Sequence, residues 1–411
     1  MKKFEIPQSY RSSFITRIKN FRISDDHRKK DYTPTLLNFG PVRFYLARHF
    51  GFCYGVENAI EIAYKTIEEN PGKRIYLLSE MIHNPIVNED LRKLGVKFLM
   101  DTSGNQLINW ADLNADDIII IPAFGTTIEI EKKLNDLGID PYRFNTTCPF
   151  VEKVWNKSSS LADENYTVII HGKHFHEETK ATFSHSKINT PSVIIKNIEE
   201  AKVLASIILK QKPGEYFYSF FEGKYSGGFS IERDLQKVGV VNQTTMLATE
   251  TQEISDLLKQ TMIKKYGMEE LKNHFADTRD TLCYATNDNQ EATNKLLETG
   301  ADFAIVVGGY NSSNTSHIVE LCKAVLPAYF ISSDEKILSF EQILHFDIST
   351  KEEIITDEYI PAKKPVDILL TSGASCPDAI VETVLKKIVS FFEDARKIET
   401  VIDELLLKDD H

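Results

Sequence analysis

Val42-Arg43-Phe44-Tyr45-Leu46-Ala47, followed by Gly51-Phe52-Cys53-Tyr54-Gly55-Val56, decides the fold class. The first run is apolar and aromatic enough for a buried strand, a glycine then breaks it, and helical spacing runs from Val56 to Glu69. Strand, glycine loop and helix in that order make an α/β unit. The same order recurs along the chain. Strands are expected at Arg74 to Leu78, Asp117 to Pro122, Thr167 to Ile170, Ser192 to Ile195, Val238 to Val241, Phe303 to Val307, Ala328 to Ile331 and Val366 to Leu370, with a last helix from Pro377 to Phe392. Runs that are apolar throughout fit parallel strands with both faces covered by helices.

Two more junctions carry a cysteine just before a helical run: Thr147-Cys148-Pro149-Phe150 and Leu282-Cys283-Tyr284-Ala285-Thr286. Three similar small α/β units with mostly parallel sheets are therefore expected, at residues 42–148, 149–270 and 271–388. They are flanked by an N-terminal extension (residues 1–41) and a C-terminal tail (residues 389–411). The second cysteine interval exceeds the first by about 40 residues, which marks an insertion near residues 210–236, read as a surface excursion or a lid.

With 48 Lys and Arg against 60 Asp and Glu, the formal charge of −12 argues against a nucleic-acid backbone or an anionic membrane as main partner. An anionic ligand must be held by local donors. Apolar runs such as Ile118 to Ile121 fall far short of the ~18 residues of a membrane span, and no apolar segment follows Met1-Lys2-Lys3 to make a secretory signal. A soluble, cytoplasmic protein is expected. Five cysteines without a C-x-x-C pair exclude a disulfide framework, standard zinc fingers and local ferredoxin-type loops.

In open parallel sheets ligands bind beyond the carboxyl ends of the strands. The loops there are polar in a consistent way: His83-Asn84-Pro85, Phe124-Gly125-Thr126-Thr127, His171 to Glu178, Asn242-Gln243-Thr244-Thr245, Asn311-Ser312-Ser313-Asn314 and Ser372-Gly373-Ala374-Ser375. Almost no Lys or Arg is among them. Small hydroxyls, amides and helix N-termini hold phosphate without fixed positive charge. Any one of these loops alone reads as a cap or turn; their recurrence favours a phosphate site. The His171-Gly172-Lys173-His174-Phe175-His176 run lacks the H-E-x-x-H spacing of a zinc helix, since Lys180 stands at the second His position.

Cys322 shares a helical stripe with Ile318, Leu321 and Val325 and reads as core, and Cys376 as a small residue at a helix start. Cys53, Cys148 and Cys283 sit at strand-to-helix junctions, where a helix N-terminus favours the thiolate. Three converging thiolates suit a 4Fe-4S cluster with one iron left open, whereas electron-transfer clusters take four cysteines.

At this point the chain resembles the 4-hydroxy-3-methylbut-2-enyl diphosphate reductase family, in its longer plant and cyanobacterial form, over roughly Phe44 to Leu385. The resemblance rests on Gly51-Phe52-Cys53-Tyr54-Gly55-Val56, Ile82-His83-Asn84-Pro85, Thr146-Thr147-Cys148-Pro149, His176-Glu177-Glu178-Thr179, Gln243-Thr244-Thr245, Cys283-Tyr284-Ala285-Thr286, Asn311-Ser312-Ser313-Asn314 and Gly373-Ala374-Ser375. It implies a trefoil of three α/β units around a central 4Fe-4S cluster ligated by Cys53, Cys148 and Cys283, with one open iron for the substrate hydroxyl. It implies diphosphate binding by His83, His176, Ser312, Ser313, Asn314 and Ser375, with Thr245 and Thr286 lining the cavity. It further implies proton delivery by Glu178 with Thr244 as its hydrogen-bonding partner. The implied reaction is reductive dehydroxylation of the allylic diphosphate to isopentenyl and dimethylallyl diphosphates, the last step of the methylerythritol phosphate pathway. Electrons would come from an external donor such as ferredoxin or flavodoxin. Phe124 departs from the many members that carry a histidine there. A cluster-dependent dehydratase such as quinolinate synthase would share the open iron but not the diphosphate loops, and a cluster-based sensor would have little use for Glu178 beside Thr244.

Overall fold

The computed structural model describes residues 4–26, 30–276, 278 and 281–407. All nine expected strands are present, because each is a run of apolar residues long enough to bury but too short for a helix. Thr167–His171, Ser192–Ile195, Val238–Asn242 and Phe303–Val307 are buried at every position.

The chain separates into two compact units, the first made of residues 1–57, 83–86 and 284–411, the second of residues 58–82 and 87–283. The first unit is built on a five-stranded sheet in the order Thr35–Asn38, Val42–Leu46, Val366–Ser372, Phe303–Val307, Ala328–Ile331. Only its first pair is antiparallel; the other neighbours run parallel. Phe44, Leu46, Ile305, Phe330, Ile368 and Leu370 form its core. Val42–Leu46 heads the first of the three expected units, yet it pairs in register with Val366–Leu370 from the last. Apolar runs reveal that a strand exists, and they carry no information about its neighbour.

Residues from both the N-terminal and the C-terminal segments belong to this unit's core. Phe14, Ile15 and Ile18 enter it from the helix Ile15–Asp25 and its approach, and Val401 and Ile402 from the helix Ile398–Leu407. An antiparallel hairpin, Gln342–Asp347 with Glu352–Asp357, also lies here, absent from the expected strands because its second strand is polar and exposed.

The second unit holds two parallel sheets, Lys97–Phe98, Ile75–Leu77, Ile118–Ile120 and Ser192–Ile195, Thr167–His171, Val238–Asn242, Phe275–Ala276. The insertion is not a lid. Its short helix Glu215–Phe220 and the following turns send Phe217, Phe221 and Phe229 into the core beside Ile169, Val193 and Val240. Phe217 and Phe229 stack with ring centroids 4.9 Å apart. Val325 also departs from expectation: it lies beyond the end of the helix Ser313–Lys323 and is 63% exposed.

Candidate active site

In the first unit, three loops close around one polar patch. Phe303–Val307 leads through Gly308 and Gly309 to Ser312, which caps the helix Ser313–Lys323, its hydroxyl accepting from the Thr315 amide at 3.2 Å. Val366–Ser372 leads to Gly373-Ala374-Ser375. Two glycines permit the approach: a Cβ on Gly309 would lie 2.2 Å from the His83 carbonyl oxygen, and one on Gly373 1.9 Å from Thr315 Oγ1. Ser375 Oγ donates to the His83 carbonyl at 3.2 Å and lies 3.5 Å from Ser312 Oγ. Ser312, Ser313, Asn314, Ser375, His83 and Thr286 are all buried.

Asn314 is oriented unambiguously. Its Oδ1 accepts from the Ala374 amide at 2.9 Å and from Asn289 Nδ2 at 3.4 Å. Nδ2 is thereby left as a donor, buried and without a protein partner among the described residues. A buried donor in that condition costs about 1–3 kcal/mol unless a ligand accepts from it. It sits at the start of the helix Ser313–Lys323, where the axial dipole favours an anion.

Cys53 is tied to the same loops, its amide donating to the Ala374 carbonyl at 3.2 Å. Burial pushes its thiol pKa up, although the amides of Val56 and Gly55 work in the opposite direction. The helix terminus alone therefore does not secure a thiolate at Cys53, contrary to the simple sequence argument.

The second unit assembles a different set. Cys148 precedes Pro149 at the start of the helix Pro149–Asp163, with no side-chain cap, and its amide donates to the Ala123 carbonyl at 2.9 Å. Thr167–His171 leads to His176, which caps the helix Glu177–Lys187. His176 Nδ1 accepts from the Glu178 amide at 3.2 Å, so the neutral ring carries its proton on Nε2 and presents a donor there. The ring of Phe124 meets His176 edge-on at 6.1 Å. Phe124 thus contributes a packing surface where a histidine would contribute a donor.

Glu178 is 2% exposed, and the Thr244 amide donates to its Oε1 at 2.5 Å. Thr244 thus meets Glu178 through its backbone. The Thr244 carbonyl in turn accepts from the Cys283 amide at 3.3 Å. Beside it Gln243, absent from the expected site residues, ties three neighbours together: Oε1 accepts from Thr179 Oγ1 at 3.0 Å and from the Lys173 amide at 3.2 Å, while Nε2 donates to Thr245 Oγ1 at 2.8 Å. Its place within Gln243-Thr244-Thr245 was the available signal. Asn289 was equally readable, since Thr286, Asn289, Gln290 and Thr293 form a buried polar stripe on the helix Tyr284–Leu297.

The histidine run does not gather. His171 turns to Thr251 Oγ1 at 2.9 Å while His176 caps its helix, and no group of three His, Cys, Asp or Glu side chains among the described residues is arranged to hold a single metal ion. Cys322 and Cys376 are fully buried, and burial pushes the Cys322 thiol up to about 12. No helix among the described residues is long and apolar enough to cross a membrane.

Comparison with known proteins returns one consistent family. A family model described as LytB protein matches residues 44–389. A protein of Microcystis aeruginosa named 4-hydroxy-3-methylbut-2-enyl diphosphate reductase is 40% identical over 356 residues, covering 86% of either chain. A Picosynechococcus protein of the same name is 41% identical over 354 residues, covering 86% of this chain and 85% of its own. Among solved structures, the E-1-hydroxy-2-methyl-but-2-enyl-4-diphosphate reductase from Plasmodium falciparum shares the fold, with a TM-score of 0.58 at 24% identity over 84% of this chain and 86% of that one.

Proposed function

Because the chain belongs to the LytB protein family, we propose that it is a 4-hydroxy-3-methylbut-2-enyl diphosphate reductase, converting that allylic diphosphate to isopentenyl and dimethylallyl diphosphates. The conversion consumes two electrons and two protons and releases water. One observation supports this reading most directly: Thr244 is bonded through its amide to the buried acid Glu178 and through its carbonyl to the amide of Cys283. A proton donor and a candidate metal ligand share one rigid support.

Cys53, Cys148 and Cys283 would hold a 4Fe-4S cluster. The residues suit it. Cys148 is the residue before the helix Pro149–Asp163, and Cys53 is a half-buried thiol whose neighbouring amides do not offset the desolvation that raises its pKa, so that a thiolate there calls for a cation. When bound, such a cluster supplies the electrons to the substrate and an open iron as Lewis acid.

The chain's own groups do the rest. Asn314 Nδ2, the start of the helix Ser313–Lys323, Ser375, His83 and the Nε2 donor of His176 would hold the diphosphate, with Thr245 and Thr286 beside it. Glu178 would deliver the proton that lets the hydroxyl leave as water. Since Oε1 accepts from Thr244, a proton on this acid rides on Oε2. Ferredoxin or flavodoxin fits as the external reductant, in the cytoplasm.

The test is anaerobic purification with iron and sulfide analysis and a visible spectrum, for the native chain and for serine variants. Cys53→Ser, Cys148→Ser and Cys283→Ser should each lose iron and turnover together, while Cys322→Ser keeps both. Full turnover by an iron-free preparation would sink the proposal.

A further inference from the structure

The N-terminal segment, which the proposed chemistry does not use, is fitted onto the loop that carries Cys53. Lys19, on the helix Ile15–Asp25, reaches that loop from outside. Its Nζ donates to the Phe50 carbonyl at 2.7 Å and pairs with Asp378 Oδ1 at 2.6 Å, lying 4.2 Å from the centroid of the Phe50 ring. The bridge rests directly on Gly51, whose φ is +79°. A Cβ there would fall 2.1 Å from Asp378 Oδ1 and 2.7 Å from Lys19 Nζ.

Aromatic contacts continue the same surface on both sides of the cysteine. Tyr10 meets Phe52 edge-on at 5.8 Å, and Phe4 meets Tyr54 at 5.0 Å. From the opposite side the Ala374 carbonyl accepts the Cys53 amide. The segment is anchored independently, since Ser12 and Ser13 both bond to Glu382 and Phe14, Ile15 and Ile18 are core residues. Residues 50, 51, 52 and 54 are thus each touched by the extension, while Cys53 between them stays half-buried.

We propose that residues 4–24 are a cover for the Cys53 loop and that Lys19 positions that loop, holding the cysteine in the one conformation that a ligand needs. A loop whose backbone carbonyl and neighbouring acid are pinned by one ammonium group has few ways to open. The glycine that such close packing demands would otherwise be a point of flexibility. This inference rests on the reading of Cys53 as a ligand, but the cover itself is testable without a cluster.

The experiment uses the full chain, stripped of metal under reducing anaerobic conditions. Iodoacetamide labelling of each cysteine is followed in time by mass spectrometry. Lys19→Met should speed labelling of Cys53 by about tenfold, the opening expected when one charge-assisted hydrogen-bond network is lost, and leave Cys148 at the native rate. Arg17→Ala, on the same helix but paired with the exposed Asp403, should leave both rates native. Unchanged Cys53 labelling in Lys19→Met overturns the proposal. So does a parallel rise at Cys148, which would mark general unfolding. Iron content of the reconstituted native chain is measured alongside: its absence would remove the cluster reading while the labelling result still decides the cover.

Discussion

At Glu178 the Thr244 amide donates to Oε1 of the acid proposed to deliver the proton. Glu178→Gln keeps an acceptor for that amide and removes the acid, so it should retain iron content and diphosphate affinity while turnover is lost. An anaerobic assay beside iron analysis checks this; near-native turnover would remove Glu178 from the mechanism. Asn314 offers a second test, because its Nδ2 is a buried donor with its orientation already set by Ala374 and Asn289. Asn314→Ala should weaken diphosphate binding by about 1–3 kcal/mol, read by calorimetry. The loops that carry Glu178, His176 and Asn314 were legible in the sequence because polar loops recur after apolar strands, while the roles expected of these residues came only from the family resemblance. The state of Cys53 was not: helix position argues for a low thiol pKa, and burial, which depends on the rest of the chain, reverses the sign.

Within the second unit the helix that carries Glu178 is braced against its neighbour. Glu129, in the first turn of the helix Ile128–Asp136, accepts from Ser184 at 2.6 Å and pairs with Lys187 at 2.7 Å, both on the helix that begins at Glu177. Burial disfavours its charge, but the bonds from Lys187 and Ser184 together outweigh burial and bring its pKa down to about 2. The sign follows from linkage. A depressed carboxyl pKa stabilises the fold above the ordinary value of 4.5, and that contribution disappears as pH falls from there towards about 2. Urea midpoints of the native chain and Glu129→Gln should therefore differ at pH 7 and converge on acidification across that window. A constant difference would show that the pair is not what Glu129 contributes. Strand positions were readable here from apolar runs alone, but this bracing was not, because residues 129 and 184 are joined only once the strands have been ordered. The same limit explains the insertion: its aromatic content was plain, and only the packed core shows that Phe217 faces inward.

For the molecule as a whole, charge and site chemistry must be reconciled. The chain carries a formal charge of −12, so at long range it repels the diphosphate it is proposed to bind. On that proposal binding would depend on short-range donors that are neutral: Asn314 Nδ2, hydroxyls and the first amides of the helix Ser313–Lys323. Such donors act at contact and are hardly screened, whereas the repulsion of the whole surface is screened strongly. Ionic strength separates the two. Raising it from about 0.01 to about 0.15 M shortens the Debye length from about 30 to about 8 Å. With a neutral chemical reductant, kcat/KM for the allylic diphosphate should hold steady or rise over that range. A site built on lysine or arginine would instead lose its steering, and kcat/KM would fall steeply. A steep fall would therefore mean that cationic side chains outside the post-strand loops reach the ligand, and that the neutral pocket inferred from Asn314 and its neighbours is not where the diphosphate binds.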